Sequence, residues 1–340
     1  MNMVALNNST QFSDLVEYSK TMITIAGVIT LIIMVVGVCG NILTVGALVK
    51  HSKIRTVAAA FIGSLCISDL LFCFLVLPFS ASQFFNGDWI HGDVLCAIIP
   101  LLRYSSVGVS LLSIAIISIN RYILIAWPSL YTTIFNKQKV IGYIAFIWCF
   151  SYGIMIPTLA GKWGKFALDE NLGTCSIVVD NNGNSPKTAL FVVAFIIPCI
   201  IILVSYGRIY WVVRKSSKRV QQHTSGTKRS EMNITKMVLA IFFCFVVCYL
   251  PLTLVKVFDK TVSNPPFHVV AYLLLYLSAC INPVIYVTMN KQYRRAYFNT
   301  LTCNFTNTID SSTPVHNSKS MAVMYAKNVI QSPHSKGSIA

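Results

Sequence analysis

A sevenfold recurrence of long apolar windows constrains this chain more than any other feature; they run at roughly 21–49, 57–85, 94–127, 139–160, 188–213, 234–258 and 267–289. Each is long enough to cross a bilayer as a helix, which takes about 20 mostly apolar residues, and a helix satisfies its own backbone where no water can. Composition agrees: 55% of the 340 residues are hydrophobic and 11% charged, with a mean hydropathy of +0.66, whereas soluble domains carry about a quarter charged residues. The polar stretch before the first window, with Asp14, Glu17 and Lys20, lacks the basic start and small-residue cleavage site of a secretory signal. The first window therefore reads as a retained helix. The expected fold is an all-α membrane protein, a seven-transmembrane helix bundle over 21–289. A 1–20 extracellular tail precedes it, and a short amphipathic eighth helix at 290–302 and a disordered cytoplasmic tail at 303–340 follow. No internal repeat is discernible.

Charge sorts by side once the windows are drawn. Lys50, Lys53 and Arg55 follow the first; Arg214, Lys215, Lys218, Arg219, Lys228 and Arg229 fill the fifth-to-sixth connection; Lys291, Arg294 and Arg295 follow the last. By the positive-inside rule these segments are cytoplasmic. The opposite loops hold Asp88, Asp93, Asp169, Glu170, Asp180 and Asp259, so the N-terminus is expected outside a plasma membrane. The net charge of +16 then faces anionic lipid and cytoplasmic partners, not nucleic acid. Asn7 and Asn8 begin overlapping glycosylation sequons in the outer tail. Cys96 and Cys175 both map to the oxidising outer side, where a disulfide would tie the fourth-to-fifth loop over the bundle; two free thiols are the alternative. In KQYRRAYFNTL, Tyr293, Tyr297 and Leu301 fall four apart opposite a basic face, as in a helix lying in the interface. Cys303, just after it, is either a palmitoylation site and second anchor or a plain free cysteine.

The third window carries a polar stripe. At 100° per residue, the eighteen steps from Arg103 to Arg121 make five whole turns and a rise of roughly 27 Å. Cys96 and Ser110, seven residues either side of Arg103, lie about 20° off that line. One face thus holds a disulfide candidate, two cations and a mid-membrane hydroxyl, and should look into the bundle. The alternative is that both arginines snorkel to headgroups.

Asp69 is an acid near the middle of an apolar helix, where an ionisable group is costly and commonly functional. Asn41, Ser110, Ser278 and Asn282 fall at similar depths and would supply oxygens around Asp69 for a small cation such as Na⁺; a purely structural hydrogen-bond network is the other reading. Besides that ion, neither metal nor cofactor is expected. Pro78, Pro157, Pro198, Pro251 and Pro283 lie within or near the ends of spans, and each removes a backbone donor and favours a bend.

Taken in order, Gly40-Asn41, LCISD ending in Asp69, Trp89 with Cys96, Asn120-Arg121-Tyr122 followed by Pro128, Trp148, Pro198 with Tyr206, CYLP at Cys248–Pro251 and NPVIY at Asn282–Tyr286 resemble the rhodopsin-like (class A) G-protein-coupled receptors. The resemblance runs through all seven windows. Within that family, Asn-Arg-Tyr at 120–122 is similar to the melatonin-receptor-related branch and to the moody and trapped-in-endoderm group of invertebrate orphan receptors.

The resemblance implies a receptor without covalent chemistry. An outer cavity binds ligand, the sixth helix swings on its Pro251 bend, and the inner cleft admits heterotrimeric G proteins, with arrestin and receptor kinases as further partners. Arg121 would engage the G protein and, when inactive, pair with Glu231 at the base of the sixth helix. Tyr206 and Tyr286 would move toward Arg121 on activation. Phe245 and Tyr249 would transmit from beneath the ligand, Tyr249 replacing the usual tryptophan, and Pro283 would bend the seventh helix. Asn120 carries none of the negative charge an acid there would bring. The same group of receptors points to cell migration or barrier signalling.

The ligand cavity is expected between Arg103, Tyr104 and Val107 on the third helix and Tyr249 and Lys256 on the sixth. Amine receptors of the family use an aspartate where Arg103 stands, so a biogenic amine would meet a like charge. A carboxylate, phosphate or lipid headgroup suits these cations instead; alternatively Arg103 pairs with Asp169 or Glu170 and touches no ligand. A transporter would also explain Asp69 and the bends, but such folds show internal repeats. A non-coupling scaffold or decoy receptor stays open because Asn120 and Tyr249 are departures at switch positions.

Overall fold

In the computed structural model, the described residues are 19–169, 173–180, 182–217, 225–259 and 262–302, with side chains described for all but 53, 216, 217 and 225–231. Asn7, Asn8, Cys303, the 303–340 tail and the Glu231 side chain lie outside them.

The apolar windows fold into seven helices long enough to span a bilayer: Lys20–Lys50, Val57–Asn86, Gly92–Ala126, Lys137–Leu159, Lys187–Lys215, Met232–Phe258 and Pro265–Met289. The chain is a multi-pass membrane protein with seven spans. A short helix, Pro128–Ile134, follows the third span, and a terminal helix, Lys291–Leu301, follows the seventh. The second, third and seventh spans are mostly buried, whereas the first, fourth and fifth turn most of their surface outward. Ile32, Val35, Phe146 and Leu203 are among the exposed apolar side chains, which a lipid-facing surface requires because lipid is as apolar as they are. The third span packs on the second, fourth and fifth, and the seventh on the first and sixth.

Where the first span meets the seventh, Gly40 makes the approach: a Cβ there would stand 3.0 Å from Cβ and Cγ of Pro283. Small residues at such crossings let backbones close up in the absence of a hydrophobic drive between helices.

The prolines act as their lost donors require. The second span breaks at Val76 before Pro78, and the fourth at Ile154 and Met155 before Pro157. Before Pro198 the fifth widens into one π-helical turn, Val192–Ile196, which absorbs the residue a regular ladder cannot place. Pro251 and Pro283 lie inside continuous helices. So does Pro100 in the third span, which the sequence reading passed over.

One end of the bundle is capped by strands absent from that reading. β1 (Lys165–Asp169) and β2 (Thr174–Val178) pair antiparallel with Leu168 opposite Cys175. Cys96 and Cys175 form a disulfide with Cα atoms 5.2 Å apart, fastening β2 to the third span. Gly164, at φ 65°, leads into β1 where a Cβ would meet Pro186 Cδ at 2.7 Å, so only glycine fits both the turn and the space. This is called the hairpin end below, and the other the basic end.

At the basic end the terminal helix corrects one expectation. Tyr293, Ala296 and Tyr297 are buried against the bundle, with the Tyr293 ring 5.5 Å from that of Tyr286 and Tyr297 Oη 2.5 Å from Thr44 Oγ1. Leu301, expected on the same stripe, is 69% exposed. The last turn meets the end of the first span at Thr300, whose Oγ1 lies 3.2 Å from His51 Nε2, and turns Phe298 and Leu301 outward.

Candidate functional site: two buried arginines on one helix face

Cys96, Arg103, Ser110 and Arg121 are all buried, Arg103 and Arg121 to 2% exposure. The stripe therefore faces inward, and neither guanidinium snorkels.

At the hairpin end, Arg103 reaches Ser80 Oγ through Nη2 at 3.5 Å, and its guanidinium carbon sits 5.5 Å from the centre of the Tyr272 ring. Its Nε and Nη1 are buried and donate to no atom among the described residues. No hydrogen bond or ion pair joins it to an acid among the described residues, so the expected alternative pairing with Asp169 is not made; Glu170 lies outside them. Across the gap, Lys256 Nζ donates to Tyr104 Oη at 2.9 Å and Ser176 Oγ at 2.7 Å, and lies 5.3 Å from the Tyr272 centroid. Two cations thus flank one tyrosine ring, a cation–π arrangement that softens their burial without neutralising either.

These groups head a cavity of about 820 Å³, its open mouth included, that also takes in Lys187. Apart from that cationic end its walls are largely apolar, with Val107, Leu190, Phe195 and Leu252 among them. A concave apolar site with a few convergent polar groups is how small-molecule sites are built, and here the convergent groups are cations. Tyr249 forms the floor. Its ring stacks on Phe245 with centroids 3.9 Å apart, and its hydroxyl accepts a hydrogen bond from Ser278 Oγ at 2.9 Å. All five residues expected around the ligand, Arg103, Tyr104, Val107, Tyr249 and Lys256, line this one cavity.

The mid-span polar residues divide. Asp69 accepts from Asn282 Nδ2 at 2.9 Å and from Ser110 Oγ at 3.5 Å. Asn41 instead bonds Gly37 O and Ala279 O at 2.9 and 2.8 Å, and Ser278 bonds Tyr249 and Leu275 O. Of the five, three meet and two bond elsewhere. A small cation would find a buried carboxylate and a hydroxyl in Asp69 and Ser110, a donor set that fits Na⁺ in kind, while Asn282 turns its NH₂ rather than its oxygen to the acid.

At the basic end, Arg121 lies within electrostatic reach of the hydroxyls of Tyr206 and Tyr293. Tyr206 donates to Thr235 O at 3.1 Å across to the sixth span. Tyr286 is fully buried, and Tyr122 rests its ring 6.1 Å from that of Trp127. Asn120, also fully buried, donates from Nδ2 to Tyr131 Oη at 3.2 Å, on the short helix. The backbone of Glu231 lies in the sixth helix, Ser225–Phe258.

Sequence reasoning missed Ser80, Tyr272, Ser176 and Tyr131. Ser176 had one signal, its place beside Cys175. Tyr272 and Tyr276, four apart on the seventh span, carried a helical-face signal that was not followed. Tyr131 had none, since only the packing of the short helix brings it to Asn120.

Residues 40–286 match the 7 transmembrane receptor (rhodopsin family). The chain is 46% identical to G-protein coupled receptor moody of Drosophila melanogaster over 363 residues, covering 88% of this chain and 54% of that one. To Protein trapped in endoderm-1 of the same fly it is 38% identical over 307 residues, 83% and 78% of the two chains. To Rhodopsin of Lethenteron camtschaticum it is 29% identical over 283 residues, 80% and 78%. The chain spans about half the length of the moody receptors it matches. A match along most of the chain, seven spans with two buried arginines on one inward face, and the strand-to-third-span disulfide make this a member of the rhodopsin family of seven-transmembrane receptors, of the moody type.

Proposed function

We propose that the chain is a plasma-membrane receptor that binds an acidic ligand at its hairpin end, outside the cell, and promotes nucleotide exchange on heterotrimeric G proteins at its basic end. The observation that carries the ligand half is Arg103: a buried guanidinium in a cavity, with two nitrogens that have no acceptor among the described residues. An unpaired buried charge costs several kcal/mol, and an anion that accepts from Nε or Nη1 would recover part of that through a charge-assisted hydrogen bond. A protonated amine would add a third cation beside Arg103 and Lys256, which argues against biogenic amines.

The coupling half rests on Arg121, at the basic end of the same face, with Tyr206, Tyr286 and Glu231 as its switch partners and Pro251 and Pro283 as the bends that let the sixth and seventh spans move. Phe245 and Tyr249, stacked between cavity and core, transmit the change. Na⁺ at Asp69 and Ser110 would favour the resting arrangement by holding the second and third spans together. Arrestin and receptor kinases would act at the same basic end, with Cys303 as an acylated anchor and Asn7 and Asn8 as glycan sites outside. We extend the proposal to a role in cell migration or barrier signalling, the expectation the sequence resemblance raised.

A non-coupling scaffold is the second reading, favoured by Asn120, whose amide is spent on Tyr131. Purified receptor in lipid nanodiscs, assayed for guanine-nucleotide exchange against a panel of G-protein α subunits with their βγ partners, separates the two. Ligand-independent exchange on at least one subtype, abolished by Arg121→Ala, is expected. Silence across the panel would favour the scaffold.

A further inference from the structure

The cavity holds its cations at one end only. Arg103, Lys187 and Lys256 gather beneath the cap strands, and the wall running from them toward the Tyr249 floor is hydrocarbon and aromatic: Val107, Leu190, Phe195 and Leu252. A small hydrophilic anion would satisfy the head of this cavity and leave that wall in contact with nothing or with water. Burying apolar surface is worth about 25 cal/mol per Å², so a ligand that leaves the wall bare forfeits most of the affinity the site offers. A diacyl lipid errs the other way, since about 820 Å³, open solvent at the mouth included, is less than two long acyl chains and a headgroup occupy.

We infer that the cavity is built for a single-chain acidic amphiphile, its carboxylate or phosphate accepting from Arg103 Nε or Nη1 and from Lys256 Nζ, and its hydrocarbon chain lying along Val107, Phe195 and Leu252 toward Tyr249. The inference deepens the proposal above and rests on its placing the ligand in this cavity; it does not depend on G-protein coupling. Each headgroup contact has a vacancy or a replaceable partner. Arg103 presents donors unpaired among the described residues, and Lys256 is held by two neutral hydroxyls, Tyr104 Oη and Ser176 Oγ, which an anion outcompetes because it adds the attraction of opposite charges to the hydrogen bond. The headgroup would thereby draw Lys256 away from β2 and the third span, the two elements to which it now fastens the sixth.

Direct binding tests this apart from signalling. Full-length receptor in nanodiscs of zwitterionic phospholipid is titrated, with no G protein present, by dodecanoate, octadecenoate and a 1-acyl lysophosphatidate. Chain-matched alcohol and amine, acetate, inorganic phosphate and diacyl phosphatidate serve as comparators, with thermal stabilisation and competition as readouts. Saturable stabilisation by a carboxylate or phosphate amphiphile is expected, and whichever of the two heads binds tighter identifies the source. The comparators should bind far more weakly. Arg103→Gln and Lys256→Gln should each weaken binding about tenfold or more, the loss of one charged hydrogen bond. Val107→Phe, which touches no headgroup contact, should shift preference to shorter chains and so keeps the test open if an arginine variant fails to fold. Equal binding of the chain-matched amine, of acetate or phosphate, or of the diacyl lipid would overturn the inference, as would full affinity in a folded Arg103→Gln receptor. Binding without nucleotide exchange would uphold it while the coupling proposal fails.

Discussion

Asn120 differs from an aspartate by one amide nitrogen, and the structure shows what that nitrogen does: it donates to Tyr131 and leaves Oδ1 buried with no donor among the described residues. In Asn120→Asp the tyrosine hydroxyl can donate instead, so the tie to the short helix survives while a negative charge arrives beside Arg121. Moving a minor active state between one and ten per cent takes only about 1.4 kcal/mol, so basal nucleotide exchange should fall severalfold; an unchanged or raised rate in reconstituted receptor would count against this account. Tyr249→Phe works in the other direction. It removes the acceptor for Ser278 Oγ, which keeps Leu275 O, so stability should drop by about 0.5–1.5 kcal/mol. The sixth span loses its polar tie to the seventh, and basal exchange should rise; a wild-type melting temperature with a wild-type basal rate would refute it. Legibility at this scale tracks periodicity. Arg103 and Arg121 were readable as one face because eighteen residues make five turns, while the bond from Asn120 to Tyr131 was not, because it depends on how a seven-residue helix folds back.

The elements were legible where lipid dictates them. A bilayer demands long apolar helices, and all seven stood out by length. The two strands did not, since KFALD and TCSIV are five residues each, with no clear alternation, and acquire their form from the disulfide and the fit at Gly164. Element contacts carry two predictions. Gly40→Ala would push a methyl against the rigid ring of Pro283, at 3.0 Å from two of its carbons, and should destabilise the packing of the first span on the seventh by about 1–3 kcal/mol, read as a lower melting temperature in nanodiscs. The sixth-to-seventh connection is held by Asp259, which accepts from Ser263 N and Oγ at 2.9 Å and shares a 3.0 Å contact with His268 Nε2. The Ser263 backbone N–H first, and the His268 hydrogen bond next, hold the Asp259 carboxyl down to about 2. Because that value lies below the unfolded value of about 3.9, the contribution is complete above pH ~4 and is lost as pH falls toward ~2. Thermal stability should therefore decline over that window, and Asp259→Asn should flatten the decline; an identical acid profile in both proteins would exclude the clasp.

For the whole molecule, the third span carries both arginines as one continuous helix, so a signal passing from cavity to basic end has to be relative motion of another span against it. Glu231→Ala tests the resting side of that relation: with Asn120 uncharged, the sixth span is proposed to be held at the basic end through Glu231, and basal exchange should rise severalfold on its removal, whereas a silent variant would remove Glu231 from the switch. The bend at Pro251 divides the sixth span unequally. At 1.5 Å per residue, Lys256 lies roughly 7.5 Å to one side of it and Met232 roughly 28 Å to the other. Pivoting there, the helix is a lever of about fourfold mechanical advantage in displacement. An ångström of travel at Lys256 becomes about four at the far end, roughly three-quarters of the pitch of a helical turn.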